Sequence, residues 1–125
     1  MKRLVYLISP NKIYKKFYKD LENVLAFKNV KYFQLRIKKM PKFKILEISK
    51  KIKIITKKHN VKLIINDNSK ITKEANADGC HIGQQDGSLI YARKYLKNKI
   101  IGATCHNSKR LAKKAVKNKA DYVAF

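Results

Sequence analysis

The sequence predicts an α/β protein of parallel strands, a (β/α)8 TIM-barrel type that is incomplete, with about five βα units and a sixth strand. Three observations predict it. Short β-branched runs alternate with amphipathic stretches from one end of the chain to the other, which is the pattern of βαβ units. The units recur every roughly 20 to 30 residues without a linker or low-complexity segment, so residues 1–125 read as a single partial domain. No G-x-G-x-x-G follows an early strand; Ser9-Pro10-Asn11-Lys12 stands there instead, which disfavours a doubly wound dinucleotide-binding sheet.

Leu4 to Ser9 reads as the first strand. Asn11 to Phe27 carries Ile13, Phe17, Leu21, Val24 and Leu25 at helical spacing, and Val30 to Ile37 is the second strand. Lys42 to Lys58 sets Ile45, Ile48, Ile52 and Ile55 on one stripe, with Lys50, Lys51, Lys53, Lys57 and Lys58 as its solvated face. His59 follows as a partner for the helix dipole. Val61 to Asp67 is a third strand, Ser69 to Asn76 a short helix, and Gly79 to Gly83 a very short fourth strand. Ser88 to Leu96 turns Leu89, Ala92 and Leu96 inward, and Lys99 to Thr104 is the fifth strand. A fifth helix begins at an N-cap, Ser108, and runs to Lys117, burying Leu111, Ala112, Ala115 and Val116. Asp121 to Phe125 is the sixth strand, so the chain reads as an interrupted barrel.

Composition narrows the function. Thirty-one basic against eight acidic residues give a formal charge of +23, which invites a nucleic-acid reading. Yet 27 of the basic residues are Lys, spread over every helix, and Lys, Ile and Asn fill 52 of 125 positions, as AT-rich codons would produce. Readers of bases and phosphates favour the Arg fork, so no specific nucleic acid is expected. No apolar run approaches the length of a membrane helix, and the stretch after Met1-Lys2-Arg3 is too short for a signal peptide. A cytoplasmic protein with two reduced thiols, Cys80 and Cys105, is expected.

In parallel α/β folds the chemistry gathers at the carboxyl ends of the strands. Strand alternation points Gln34, Arg36 and Lys38 to one side and Leu35 and Ile37 to the other, so an amide and two cations face the mouth, where they suit a phosphorylated ligand. Asn66 and Asp67 end the third strand, and Asp86 follows the fourth. Two carboxylates beside a phosphate-sized cationic space suit Mg²⁺, although either Asp could instead cap the helix that follows it. Thr104 and His106 add a hydroxyl and an imidazole at the fifth strand. Cys80-His81 and Cys105-His106 suggest zinc, but neighbours on a strand face opposite ways, and structural zinc sites favour C-x₂₋₄-C clusters.

Five segments in order carry a resemblance: Leu4 to Pro10, the Q-x-R-x-K of Gln34 to Lys38, Ile64-Ile65-Asn66-Asp67, Ala77 to Asp86, and Gly102 to His106. Together they resemble the thiamine-phosphate synthase family over essentially the whole chain, and Ala120 to Phe125 resembles its sixth strand. The resemblance implies a transferase that joins a hydroxymethylpyrimidine diphosphate to a thiazole phosphate, releasing pyrophosphate and forming thiamine phosphate. It implies that Gln34, Arg36, Lys38, Asn66 and Thr104 hold the pyrimidine diphosphate, Thr104 standing where the family usually has Ser, and that Asp67 and Asp86 bind Mg²⁺. The family's later Gly-Pro turn, T-x-T-K segment and last two strands are not in this sequence, so a C-terminally truncated chain is expected, with open edges prone to self-association. A thiazole tautomerase of the same superfamily, with His106 as acid or base, an inactive remnant, and a basic nucleic-acid-binding protein are the alternatives.

Overall fold

A computed structural model describes residues 3–84 and 87–125. Six strands alternate with five helices: β1 (Val5–Ile8), α1 (Phe17–Leu25), β2 (Val30–Leu35), α2 (Lys42–Lys58), β3 (Lys62–Asn66), α3 (Ser69–Glu74), β4 (Gly79–Gly83), α4 (Ser88–Leu96), β5 (Ile100–Thr104), α5 (Lys109–Lys117) and β6 (Tyr122–Ala124). All five strand pairings are parallel, and the spatial order equals the chain order. Each strand is laid beside its predecessor, which is the winding of a barrel; a doubly wound sheet reverses direction midway. The sheet curls until Tyr6 of β1 and Tyr122 of β6 share a hydrogen bond at 2.5 Å. The fold is the expected half-barrel.

Register decides what faces where. Leu35, Ile65, Cys80 and Ile101 pair in one row and face the helices, while Asn66, His81, Gly102 and Tyr122 pair in another row that faces the interior. The helix-side layer is therefore continuous and apolar. Around β1 to β3 it holds Phe17, Leu21, Leu25, Phe33, Leu35, Ile52, Leu63 and Ile65, and around β4 and β5 it holds smaller side chains such as Cys80, Ala92, Ala103, Cys105 and Ala115. Both thiols are free and buried. Gly79 is required by packing, since a Cβ there would press on the Ile100 carbonyl and the Ile64 side chain.

Several expectations need correction. Helix α1 starts at Phe17, not Asn11, because Asn11 Oδ1 accepts the Lys38 backbone N–H (2.7 Å) and draws the loop across to β2, and no side chain caps the segment before Phe17. In α2 the fully buried positions are Ser49, Ile52 and Thr56, with Ile45, Ile48 and Ile55 only partly covered. Ser49 can sit inside because its hydroxyl bonds the Ile45 carbonyl (2.6 Å), and Thr56 bonds the Lys53 carbonyl (3.2 Å). Lys53 leaves the solvated face to pair with Asp78 at 3.0 Å. Val116 of α5 is exposed instead of buried. His59 does close α2, but its Nε2 reaches Glu22 of α1 at 2.5 Å, and this bond holds the Glu22 carboxyl below its ordinary range.

Candidate active site

The carboxyl ends of the strands enclose a cavity of about 640 Å³. Gln34, Arg36, Lys38, Asn66, Asp67, Thr104 and His106, all singled out by the sequence, line it. Asp86 lies outside the described residues. Tyr6, His81 and Tyr122 line the cavity too; sequence reading gave the two tyrosines no role and weighed His81 only as a zinc ligand, which it disfavoured. The signal was available in strand alternation: Tyr6 shares the phase of Ile8, and Tyr122 that of Ala124, both inward.

Local structure explains how the cations are held. Ser9 Oγ accepts the Arg36 backbone N–H at 2.9 Å, Ser9 N–H donates to the Gln34 carbonyl at 2.9 Å, and Asn11 braces Lys38. The loop after β1 therefore clamps the end of β2, where Arg36 and Lys38 are exposed to the cavity. Neither cation belongs to an ion pair among the described residues. Asp67 adopts a left-handed backbone (φ 71), which Asp tolerates, and its N–H donates to the His81 carbonyl at 2.7 Å. The cap of α3 is Asn68, whose Oδ1 accepts from Ile71 N–H (2.9 Å), so Asp67 does not cap that helix. The Asp67 carboxylate enters no hydrogen bond or ion pair found among the described residues and sits beside Asn66 at the cavity. His106 is also left-handed, at φ 51.

The interior wall is neutral and hydrogen-bonded. Gln34 Nε2 donates to Tyr6 Oη (2.8 Å), and His81 lies 2.9 Å from both Tyr122 Oη and Thr104 Oγ1. Burial, reinforced by the Arg36 charge, lowers the His81 pKa, and burial pushes the Tyr6 and Tyr122 hydroxyls upward. Cys80 points to the helices while His81 points inward, which separates the two as zinc ligands; no cluster of three His, Cys, Asp or Glu able to hold a metal occurs among the described residues.

Known proteins resolve the family. Residues 5–125 match the family described as thiamine monophosphate synthase. The chain belongs to that family. It is similar to the thiamine-phosphate synthase of Pelagibacter ubique, at 59% identity over 99% of this chain and 60% of the relative. It is also similar to that of Clostridium acetobutylicum, at 40% identity over 95% of this chain and 57% of the relative. Among solved structures it resembles thiamine phosphate pyrophosphorylase from Pyrococcus furiosus, with a TM-score of 0.85 and 27% identity over 98% of this chain and 59% of that one. The chain thus spans between 44% and 60% of the length of the curated thiamine-phosphate synthases it matches. These likenesses do not favour the isomerase, remnant or nucleic-acid readings. No helix among the described residues is long and apolar enough to cross a membrane.

Proposed function

We propose that this family member is a cytoplasmic transferase that couples 4-amino-2-methyl-5-(diphosphooxymethyl)pyrimidine to a thiazole phosphate, giving thiamine phosphate and pyrophosphate, with residues 1–125 as one partial barrel domain. One observation carries the reading: two cations, Arg36 and Lys38, that form no ion pair among the described residues converge with Gln34, Asn66 and Thr104 on one cavity large enough for a small phosphorylated ligand. In this reading Gln34 and Asn66 orient the pyrimidine diphosphate, Thr104 donates to it, and His106 is the candidate acid or base at the rim. Arg36 and Lys38 stabilise the negative charge that grows on the departing pyrophosphate, so the pyrimidine methylene becomes cationic and the thiazole nitrogen captures it. The cavity wall behind them, with its histidine kept neutral and its phenols protonated, offers no competing nucleophilic anion.

The donor set fits Mg²⁺. Asp67 and the Asn66 amide are hard oxygen ligands, and a site with few carboxylates suits an ion that keeps waters and phosphate oxygens. Asp67 and Asp86 would hold the ion, which would supply further charge neutralisation on the diphosphate. In this reading the edge strands β1 and β6 are where the chain would self-associate.

The test is calorimetric binding of the pyrimidine diphosphate with and without Mg²⁺. Binding that needs Mg²⁺ and is lost in Asp67→Ala and Arg36→Ala supports the proposal. Affinity unchanged by all three perturbations sinks it.

A further inference from the structure

Five side chains on five strands form one continuous hydrogen-bonded chain through the interior. Gln34 Nε2 on β2 donates to Tyr6 Oη on β1 at 2.8 Å. The Tyr6 and Tyr122 hydroxyls are 2.5 Å apart, Tyr122 Oη is 2.9 Å from His81 Nδ1 on β4, and His81 Nε2 is 2.9 Å from Thr104 Oγ1 on β5. Gly102 makes the middle link possible, because a Cβ there would overlap the Tyr122 ring.

Counting protons orders the chain. An imidazole carrying one proton has one donor and one acceptor nitrogen, and each hydroxyl has a single proton to give. Two directions satisfy both contacts of His81. In one, Gln34 donates to Tyr6, Tyr6 to Tyr122, Tyr122 to Nδ1, and Nε2–H to Thr104, so every hydroxyl and imidazole proton except that of Thr104 has an acceptor within the chain. In the other, Thr104 donates to Nε2, Nδ1–H to Tyr122, and Tyr122 to Tyr6, which then accepts twice and has no acceptor for its own proton among the described residues. Cooperativity favours the first. A hydroxyl that accepts a bond becomes a better donor, so the head-to-tail chain that starts at the Gln34 amide is strengthened along its length, whereas the reverse chain collides with that amide at Tyr6.

We infer that Gln34, Tyr6, Tyr122 and His81 form a one-way chain that keeps the imidazole proton on Nε2 and turns the Thr104 hydroxyl proton into the cavity. His81 and Tyr122 are then positioning residues that act through Thr104, and Gly102 is the seat that lets Tyr122 do so. The group that accepts the Thr104 proton is an oxyanion, in keeping with Arg36 and Lys38 at the same mouth. That last step rests on the diphosphate reading above; the direction of the chain does not.

The first measurement is a long-range ¹H–¹⁵N correlation spectrum of the 125-residue chain at neutral pH, with His81 distinguished from His59 and His106 by its loss in His81→Asn. A single tautomer protonated on Nε2 is expected; a proton on Nδ1, or an even mixture, overturns the inference. In Tyr122→Phe and Tyr6→Phe, two independent breaks of the chain, the preference is expected to relax to a mixture, and a spectrum unchanged in both overturns it. The second measurement is affinity for inorganic pyrophosphate with Mg²⁺. Thr104→Ser is expected to bind within about twofold of the native chain and Thr104→Val about tenfold more weakly, the scale of one hydrogen bond to a charged group. Equal affinity for Thr104→Val overturns the donor role. A native chain that ignores pyrophosphate would instead bring down the diphosphate reading, with the tautomer result standing by itself.

Discussion

At the amino ends of β4 and β6 a carboxylate is locked into an ion pair, whereas at the carboxyl end of β2 two cations are left open among the described residues. Asp78, before β4, accepts Leu63 N–H (2.8 Å) and pairs with Lys53 at 3.0 Å; Asp121, before β6, accepts Ile101 N–H (2.8 Å) and pairs with Arg93 at 2.7 Å. The two latches repeat one design: an Ala-Asp pair starts a strand, the carboxylate bonds the preceding strand, and a base from a helix locks it. Arg93 adds the carbonyls of Lys97, Lys99 and Lys119, and Lys99 Nζ reaches the Ala77 carbonyl at 2.6 Å. At the opposite ends, Arg36 and Lys38 have only backbone braces among the described residues. The difference separates roles: one rim holds the sheet together, and the other keeps its charges available for a ligand.

The contrast can be broken most strongly at the latch. Asp78→Ala strands a half-buried Lys53 and the buried Leu63 N–H, and is expected to lower stability by about 2 to 4 kcal/mol in urea unfolding. Asp121→Ala, at a more exposed pair, should cost about half as much. Next comes the open rim, where Arg36→Ala should leave the unfolding free energy within about 0.5 kcal/mol while reducing diphosphate affinity by about 2 kcal/mol, read by calorimetry. A large loss of stability in that variant would erase the division between the two rims.

A third effect depends on pH. Burial lowers the His81 pKa below the unfolded histidine value of about 6.5, so on acidification the unfolded chain takes up a proton before the folded one. Stability is therefore expected to be full above about pH 6.5 and to fall as pH drops through that value, until the folded pKa is reached. His81→Asn should flatten the melting temperature over this window; an unaltered slope would assign the effect elsewhere.

The smallest effect lies in the turns of the latched rim. Asn60, Asn76, Lys97 and Lys119 have φ between 51 and 68, where glycine is preferred, but the chain has only four glycines. Lys97, at φ 54 and ψ −108, is the most strained, being in a region that suits glycine almost alone. Lys97→Gly is expected to raise stability by about 0.5 to 1 kcal/mol, provided the Arg93 bond to its carbonyl survives.

Much of this was legible in the sequence, and for physical reasons. Elements β4, α2 and α4 follow from apolar periodicity, and the strand alternation of Gln34, Arg36 and Lys38 places them on the interior face without knowledge of the neighbours. Long-range polar pairing was not legible. Lys53 looked like one more surface lysine because Asp78 is 25 residues away, and Ser49 and Thr56 went unnamed as core positions because their bonds to the backbone cannot be read from hydropathy. The start of α1 failed for the same reason, since Asn11 is committed to a loop 27 residues on. Tyr6 and Tyr122 were passed over because each looks ordinary within its own strand, and only the curl of the sheet brings them together with His81.

The strand order has a kinetic consequence. Because every strand pairs with the one just before it, the backbone pairings close loops of only modest length, and the sheet can be assembled one βα unit at a time as the chain leaves the ribosome. The bond between Tyr6 and Tyr122 spans 116 residues and cannot form until the last of these units has docked. The environment of those two phenols is thus a natural clock for folding, marking the docking of β6 from a ring fixed in β1.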